Sequence, residues 1–179
     1  MIFTETDIPG AWVVELERRA DERGSFARTF DADEFEARGL DPRIVQASVS
    51  VNRRAGTLRG LHYQEPPEGE AKLIRCTRGA IFDVIVDLRP GSEAYCGWFG
   101  IELRAGGTAS LFVPAGFAHG FQTLTDDVEV AYQMSHHHVP EAASGVRWDD
   151  PAFGIAWPDP PAAGRTITER DAAYPDFRP

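Results

Sequence analysis

Two cysteines are all that this 179-residue chain carries. Cys76 and Cys96 form no Cys-x-x-Cys pair and no zinc-ligand spacing, so the sequence predicts free thiols in a reducing, cytoplasmic setting. Long apolar runs are absent too. None approaches the roughly eighteen residues that span a bilayer. The opening residues, Met1 to Asp7, lack the basic and then apolar order of a signal peptide. Basic residues are in deficit, with 18 Lys and Arg against 28 Asp and Glu and a net charge of −10. That field opposes nucleic acid and anionic membranes as partners. A small phosphorylated ligand remains allowed if arginine and lysine cluster locally. The chain has no Gly-x-Gly-x-x-Gly or Walker loop for a bound dinucleotide or ATP. It has no Gly-x-Ser-x-Gly elbow and no histidine beside either cysteine, so covalent catalysis has no motif to stand on.

Short β-prone runs make up most of the chain: 11–17, 43–52, 57–63, 71–78, 80–88, 95–103, 108–113, 118–125 and 128–134. Glycine- and proline-rich breaks separate them, among them Arg53-Arg54-Ala55-Gly56 and Glu65-Pro66-Pro67-Glu68-Gly69. The pattern predicts one all-β domain over 1–179, an antiparallel sandwich or barrel. A helix is expected over 31–38, capped by Asp31 or Asp33, and a shorter one near Thr168. Residues 158–179 are too poor in apolar side chains for a core of their own. They read as an extension that is either loose or packed across the barrel.

Two segments concentrate the chemistry: Leu58-Arg59-Gly60-Leu61-His62-Tyr63-Gln64 and Pro114-Ala115-Gly116-Phe117-Ala118-His119-Gly120-Phe121. Each sets a histidine in an apolar strand with glycine close before it, where a backbone can bend. Histidine titrates near neutrality, which suits general acid–base work. A metal is disfavoured. His62-Tyr63-Gln64 lacks the His-x-His of metal-binding barrels, and consecutive His136, His137 and His138 alternate faces on an extended chain. What remains is general acid–base chemistry without a cofactor. Within it, removing a proton next to a carbonyl needs a base and a cation at the oxygen, and inverting the centre needs an acid on the opposite face. His62, Lys72 and Tyr132 are the right types. Along 46–52 the polar Gln46, Ser48, Ser50 and Asn52 share one face, either solvated or the inner wall of a ligand-holding barrel. The run Ala80 to Leu88 is apolar on both faces, as in a covered central strand, and Asp83 within it is either hydrogen-bonded structure or a site residue.

Together with Asp21-Glu22-Arg23-Gly24, Phe26, Lys72-Leu73, Phe82-Asp83-Val84, Asp87-Leu88-Arg89, Tyr132, Asp149-Asp150-Pro151, Trp157-Pro158 and Glu169 to Pro175, these segments carry a family likeness. The chain resembles the dTDP-4-dehydrorhamnose 3,5-epimerase family from about Pro9 to Pro179. The resemblance implies a jelly-roll barrel of cupin type, a homodimer, and epimerisation of a nucleotide-linked 4-keto-6-deoxy hexose without metal or organic cofactor. By motif it implies His62 as base, Asp171 as its orienting carboxylate, Lys72 as enolate stabiliser and Tyr132 as acid. Arg23 and Arg59 are implied diphosphate ligands, Phe26 and Gln46 line the substrate site, and His119 faces the barrel interior. The chain departs from the family at Arg28, where a glutamate is usual, and at Ser48, where asparagine is common. A tyrosine pair that stacks on the base is replaced by His137-His138. These positions leave a GDP-, CDP- or UDP-linked keto sugar open as an alternative substrate. A non-catalytic sugar-binding cupin and a keto-isomerase are the rival functions.

Overall fold

A computed structural model describes residues 1–178. Strands dominate. They are β1 (Ile2–Glu5), β2 (Trp12–Glu15), β3 (Arg19–Asp21), β4 (Gly24–Phe26), β5 (Gln46–Asn52), β6 (Leu58–Gln64) and β7 (Lys72–Arg78). They continue as β8 (Ala80–Asp87), β9 (Trp98–Arg104), β10 (Ala109–Val113), β11 (Phe117–Thr123), β12 (Val128–Met134) and β13 (Ala143–Gly145). Two short helices accompany them, α1 (Ala32–Glu36) and α2 (Glu169–Ala172). A six-stranded antiparallel sheet in the order β1-β2-β10-β7-β12-β5 faces a five-stranded one in the order β13-β6-β11-β8-β9. This is the all-β jelly-roll of cupin type. No helix among the described residues is long and apolar enough to cross a membrane.

The alternation of each strand explains the layers. Ile74, Cys76, Leu111 and Val130 of the larger sheet meet Ile81, Ile85, Leu103, Phe117 and Phe121 of the smaller. Buried polar side chains lie on the same strands, among them Asp83, His119 and Gln122. Outside the larger sheet, Phe35 of α1 sits on Val14, Leu73 and Phe112. Asp31 caps α1 by accepting from the Glu34 amide at 3.3 Å. Outside the smaller sheet, Val84, Val86 and Ala118 are covered by Phe153, Trp157 and Phe177. Strand β8 is therefore buried on both faces, as its unbroken apolar run implies.

Several boundaries differ from the sequence expectation. The short strands β1, β3, β4 and β13 carry too few apolar positions to announce themselves. Strand β9 starts at Trp98 rather than residue 95, because Cys96 has φ +65° and donates its amide to the Asp87 carbonyl at 2.8 Å. Helix α1 stops at Glu36, short of Arg38, where the Gly39 amide turns back to the Glu36 carbonyl at 2.9 Å. Strand β5 begins at Gln46, three residues later than expected.

Residues 158–178 do not form a separate core. Thr166 bridges to Thr57, donates to the Gly56 carbonyl and accepts from the Leu58 amide, both at 2.9 Å. Arg165 binds the Gln122 amide oxygen and the Pro158 carbonyl, each at 2.7 Å, and lies over the Trp148 ring. Farther on, buried Asp150 accepts from the Phe177 amide at 2.7 Å.

Candidate active site

The candidate site forms between β6 and β11 on one wall and β7 and β12 on the other, where Lys72 approaches His62 and Tyr132 meets His119. Strands β6 and β11 cross unusually closely. A Cβ at Gly60, whose φ is +113°, would lie 2.6 Å from the Gly120 Cα, so neither position has room for a side chain. The pairing register slips here, between His119 and Phe121. The slip lets Arg59 and His62, three residues apart on a strand, both serve the interior. Arg59 reaches the opposite sheet and donates to the Asn52 amide oxygen at 2.7 Å.

His62 Nε2 lies 2.9 Å from Asp171 Oδ1. The second carboxylate oxygen, Oδ2, accepts from the Gly60 amide at 3.3 Å. The Thr168 hydroxyl caps α2 by accepting from the Asp171 amide at 3.2 Å, which fixes the carboxylate's approach. Asp171 is buried, whereas the imidazole opens into a cavity of about 240 Å³ lined by Glu70, Lys72, His138 and Arg170 among others. Desolvation pushes the His62 pKa below its ordinary value. Asp171 acts in the opposite sense, while the charges of Lys72 and His119 add to the fall. The ring is thus neutral at neutral pH. With Asp171 accepting one ring N–H, the other nitrogen carries the lone pair.

Lys72 and Tyr132 stand on the other wall. Lys72 Nζ is 3.5 Å from the His62 carbonyl oxygen and 3.1 Å from Glu70 Oε1. Tyr132 is held by β7 and β5, with Ile74 and Ser48 as its register partners. Burial drives its phenol pKa strongly upward, and the Asp83 carboxylate adds to this against the Arg59 charge. Tyr132 therefore holds its proton at any physiological pH. His119 sits beside His62 as its cross-strand partner, with its Nε2 2.7 Å from Asp83 Oδ1. Its ring meets the Tyr132 ring edge-on at 5.9 Å.

The remaining sequence candidates are distributed differently. Gln46 Oε1 accepts from the His138 amide at 2.5 Å, and Gln64 binds the His137 carbonyl at 3.1 Å, so two glutamines hold the histidine run at the cavity's edge. Ser48 is exposed on β5. Arg23, Phe26 and Arg28 are not gathered at His62. Arg23 is 84% exposed at the tip of the β3–β4 hairpin and pairs with Asp21, and Phe26 is 76% exposed. Arg28 pairs with Asp31 and lines a separate cleft with Phe26 and Arg18.

Asn52, on the polar face of 46–52 that the sequence offered as an inner wall, anchors Arg59. Two residues at the site escaped the sequence reading: Glu70 pairs with Lys72, and Arg170 lines the cavity. The two-residue spacing from Lys72 pointed to Glu70.

A family profile described as dTDP-4-dehydrorhamnose 3,5-epimerase matches residues 5–179. The dTDP-4-dehydrorhamnose 3,5-epimerase of Methanothermobacter thermautotrophicus is 44% identical over 177 residues, covering 98% of this chain and 94% of that protein. The crystal structure of the enzyme of that name from Elizabethkingia anophelis superposes with a TM-score of 0.94 at 34% identity, covering 99% of this chain and 96% of that one. A Legionella pneumophila 3,5-epimerase solved in complex with dTDP-4-keto-L-rhamnose gives a TM-score of 0.89 at 33% identity, covering 97% of this chain and 90% of that one.

Proposed function

The chain belongs to the dTDP-4-dehydrorhamnose 3,5-epimerase family, and from that premise we propose how its barrel performs the reaction. The protein is an isomerase that epimerises a dTDP-linked 4-keto-6-deoxy hexose of the deoxysugar pathways. Hydrogens at C3 and C5 flank the C4 carbonyl, so either can be removed to give an enolate. The basic nitrogen of His62 takes the proton. Asp171 supports the imidazolium that results. The electron pair of the broken C–H bond moves onto the keto oxygen, where the Lys72 ammonium stabilises it. Tyr132 then gives its proton to the same carbon from the opposite face, which inverts the centre. Solvent returns a proton to the tyrosinate and removes one from the imidazolium. Every proton is handled by a side chain, so the scheme needs no cofactor.

One observation carries this reading: base and acid lie on opposite sheets, with the lysine beside the base. A one-sided site could remove a proton but would return it to the face it left. Incubation of the dTDP-linked keto sugar in deuterated water tests it. Deuterium at C3 or C5 with inversion is expected. Ligand binding without exchange would make the protein a sugar-binding cupin, and a carbonyl moved to C3 would make it a keto-isomerase.

The nucleotide end follows from the same proposal. Arg59 reaches into the barrel, and His119 and Gln46 flank the sugar. Arg23 and Phe26 stand on a projecting hairpin away from their own cavity. They gain a diphosphate to bind when the hairpin enters a second copy's barrel mouth. A homodimer is supported by exposed Val49 and Val51 on the outer face of β5, beside a cavity of about 440 Å³ that also borders Arg75. Light scattering tests the dimer. Arg28 is held by Asp31, so it does not invert the hydrogen-bond pattern offered to the base. Thymidine diphosphate is therefore expected to bind more tightly than the guanosine, cytidine or uridine diphosphates in calorimetric titration. Residues 1–179 act in this scheme as one domain, with 158–179 as the extension that supplies Asp171. The unpaired thiols of Cys76 and Cys96 support a cytoplasmic setting.

A further inference from the structure

We infer that Glu70 is a positioning residue for Lys72, holding its ammonium so that one N–H is left directed at the developing enolate oxygen. The inference rests on the epimerase reading and goes beyond it. An ammonium has three N–H donors and no acceptor. The Glu70 carboxylate forms an ion pair with it, Oε1 at 3.1 Å, and one donor goes to the His62 carbonyl oxygen at 3.5 Å. Drawn from these two sides, the ammonium is held at the cavity that Glu70, Lys72 and His62 share, with an N–H left for that cavity.

The carboxylate itself is not loose. Glu70 precedes Lys72 by two residues on an extended chain, so both side chains leave on the same side. Between them, the Ala71 amide donates to the Ser135 hydroxyl at 2.8 Å and the Ala71 carbonyl accepts from the Ser135 amide at 2.9 Å. Just upstream, the Gln64 amide nitrogen binds the Glu68 carbonyl at 2.8 Å. Side-chain exposures of 11% for Lys72 and 12% for Glu70 set this pair apart from the solvent-screened ion pairs of the surface. The acid–base steps make no use of Glu70, and its negative charge would oppose the enolate if it acted on it directly. Its placement makes sense through the lysine. A four-carbon stem with a mobile tip loses rate when its tip wanders, because a misplacement of an ångström removes the stabilisation.

The test measures deuterium incorporation and steady-state turnover in the full-length protein. Wild-type exchange at C3 or C5 is the control, and its absence would sink the epimerase reading rather than this one. With that control positive, Glu70→Ala is expected to lower kcat about ten- to hundredfold, with KM little changed. Glu70→Gln, which keeps an acceptor oxygen in place, should restore most of that loss. In a Lys72→Ala background, Glu70→Ala should cost nothing more, because the lysine it positions is gone. Wild-type kcat in Glu70→Ala overturns the inference. So does full additivity with Lys72→Ala. If Glu70→Ala fails to fold, Glu70→Asp carries the test: it withdraws the carboxylate by one methylene, and unchanged kcat there overturns the inference equally.

Discussion

His62 and His119 are register partners on neighbouring strands, and each sets its Nε2 against a carboxylate, at 2.9 Å and 2.7 Å. Almost everything else about the two pairs differs. Asp83 comes from β8, the next strand of the same sheet, and is completely buried, as His119 nearly is. Asp171 comes from the C-terminal extension, and the His62 side chain is 43% exposed to the cavity. The inner pair is fixed by the sheet that forms the core. The outer pair exists only when the extension lies down beside β6. A base that turns over must exchange its proton with solvent, and the outer imidazole is open to it. The inner pair has no such route, and Asp83 Oδ2 has no hydrogen-bond partner among the described residues. In the proposed mechanism the same two residue types thus serve chemistry in one place and buried structure in the other.

The largest effect that separates them is on rate. His62→Ala should lower deuterium exchange by roughly two to four orders of magnitude, the usual contribution of a positioned general base, with melting temperature unchanged. Near wild-type exchange in that variant would move the base to His119 and dissolve the distinction. Next comes stability, with the opposite pattern. Asp83→Ala leaves a buried imidazole N–H without its acceptor, at a cost of about 1–3 kcal/mol. Calorimetric melting should fall by about 2–4 °C for each of those kilocalories. Asp83→Asn keeps an acceptor and should fall less.

The same contrast explains what the sequence made legible. Strands β5 to β8 and β10 to β12 were readable, because burial on one face leaves an alternation in the residues and burial on both leaves an apolar run. His62, Lys72 and Tyr132 could be named as types suited to proton transfer, but not brought together, since strand order in two facing sheets has no local signature. Asp171 between Arg170 and Ala172 was invisible on composition. Its role depends on a tail docking against β6 across 109 residues of sequence, and only the family likeness pointed to it. The β3–β4 hairpin was missed because its residues are exposed and bury nothing in their own chain.

A smaller effect tests what Asp171 does for the open pair. Desolvation holds the His62 pKa down, and Asp171 is what raises it. A base with a depressed pKa stays neutral as pH falls through the ordinary histidine value of about 6.5, so the acid limb of kcat/KM should lie below that pH. Asp171→Asn removes the raising influence. The acid limb should therefore move to still lower pH, even as kcat at pH 7 drops by about tenfold or more for want of a counter-charge to the imidazolium. A limb that moved upward would mean that Asp171 does not stabilise the protonated ring.

The smallest effect asks whether the extension is what sets the outer pair apart. Arg165 ties that extension down with two 2.7 Å hydrogen bonds and its contact over Trp148, six residues before Asp171. Arg165→Ala removes both bonds and leaves the buried Gln122 oxygen short of a donor. A loss of about 1 kcal/mol follows, with kcat lowered a few-fold as Asp171 spends less time against His62. Local opening should be confined to the strap. In hydrogen exchange the amides of Leu58 and Thr166, which bond across the strap, should lose protection, while those pairing β8 with β11 around Asp83 and His119 keep theirs. Equal loss of protection in both regions would show that the extension and the sheet open as one unit. The outer pair would then be as much a part of the core as the inner one, and its carboxylate's origin in the tail would have no bearing on its function.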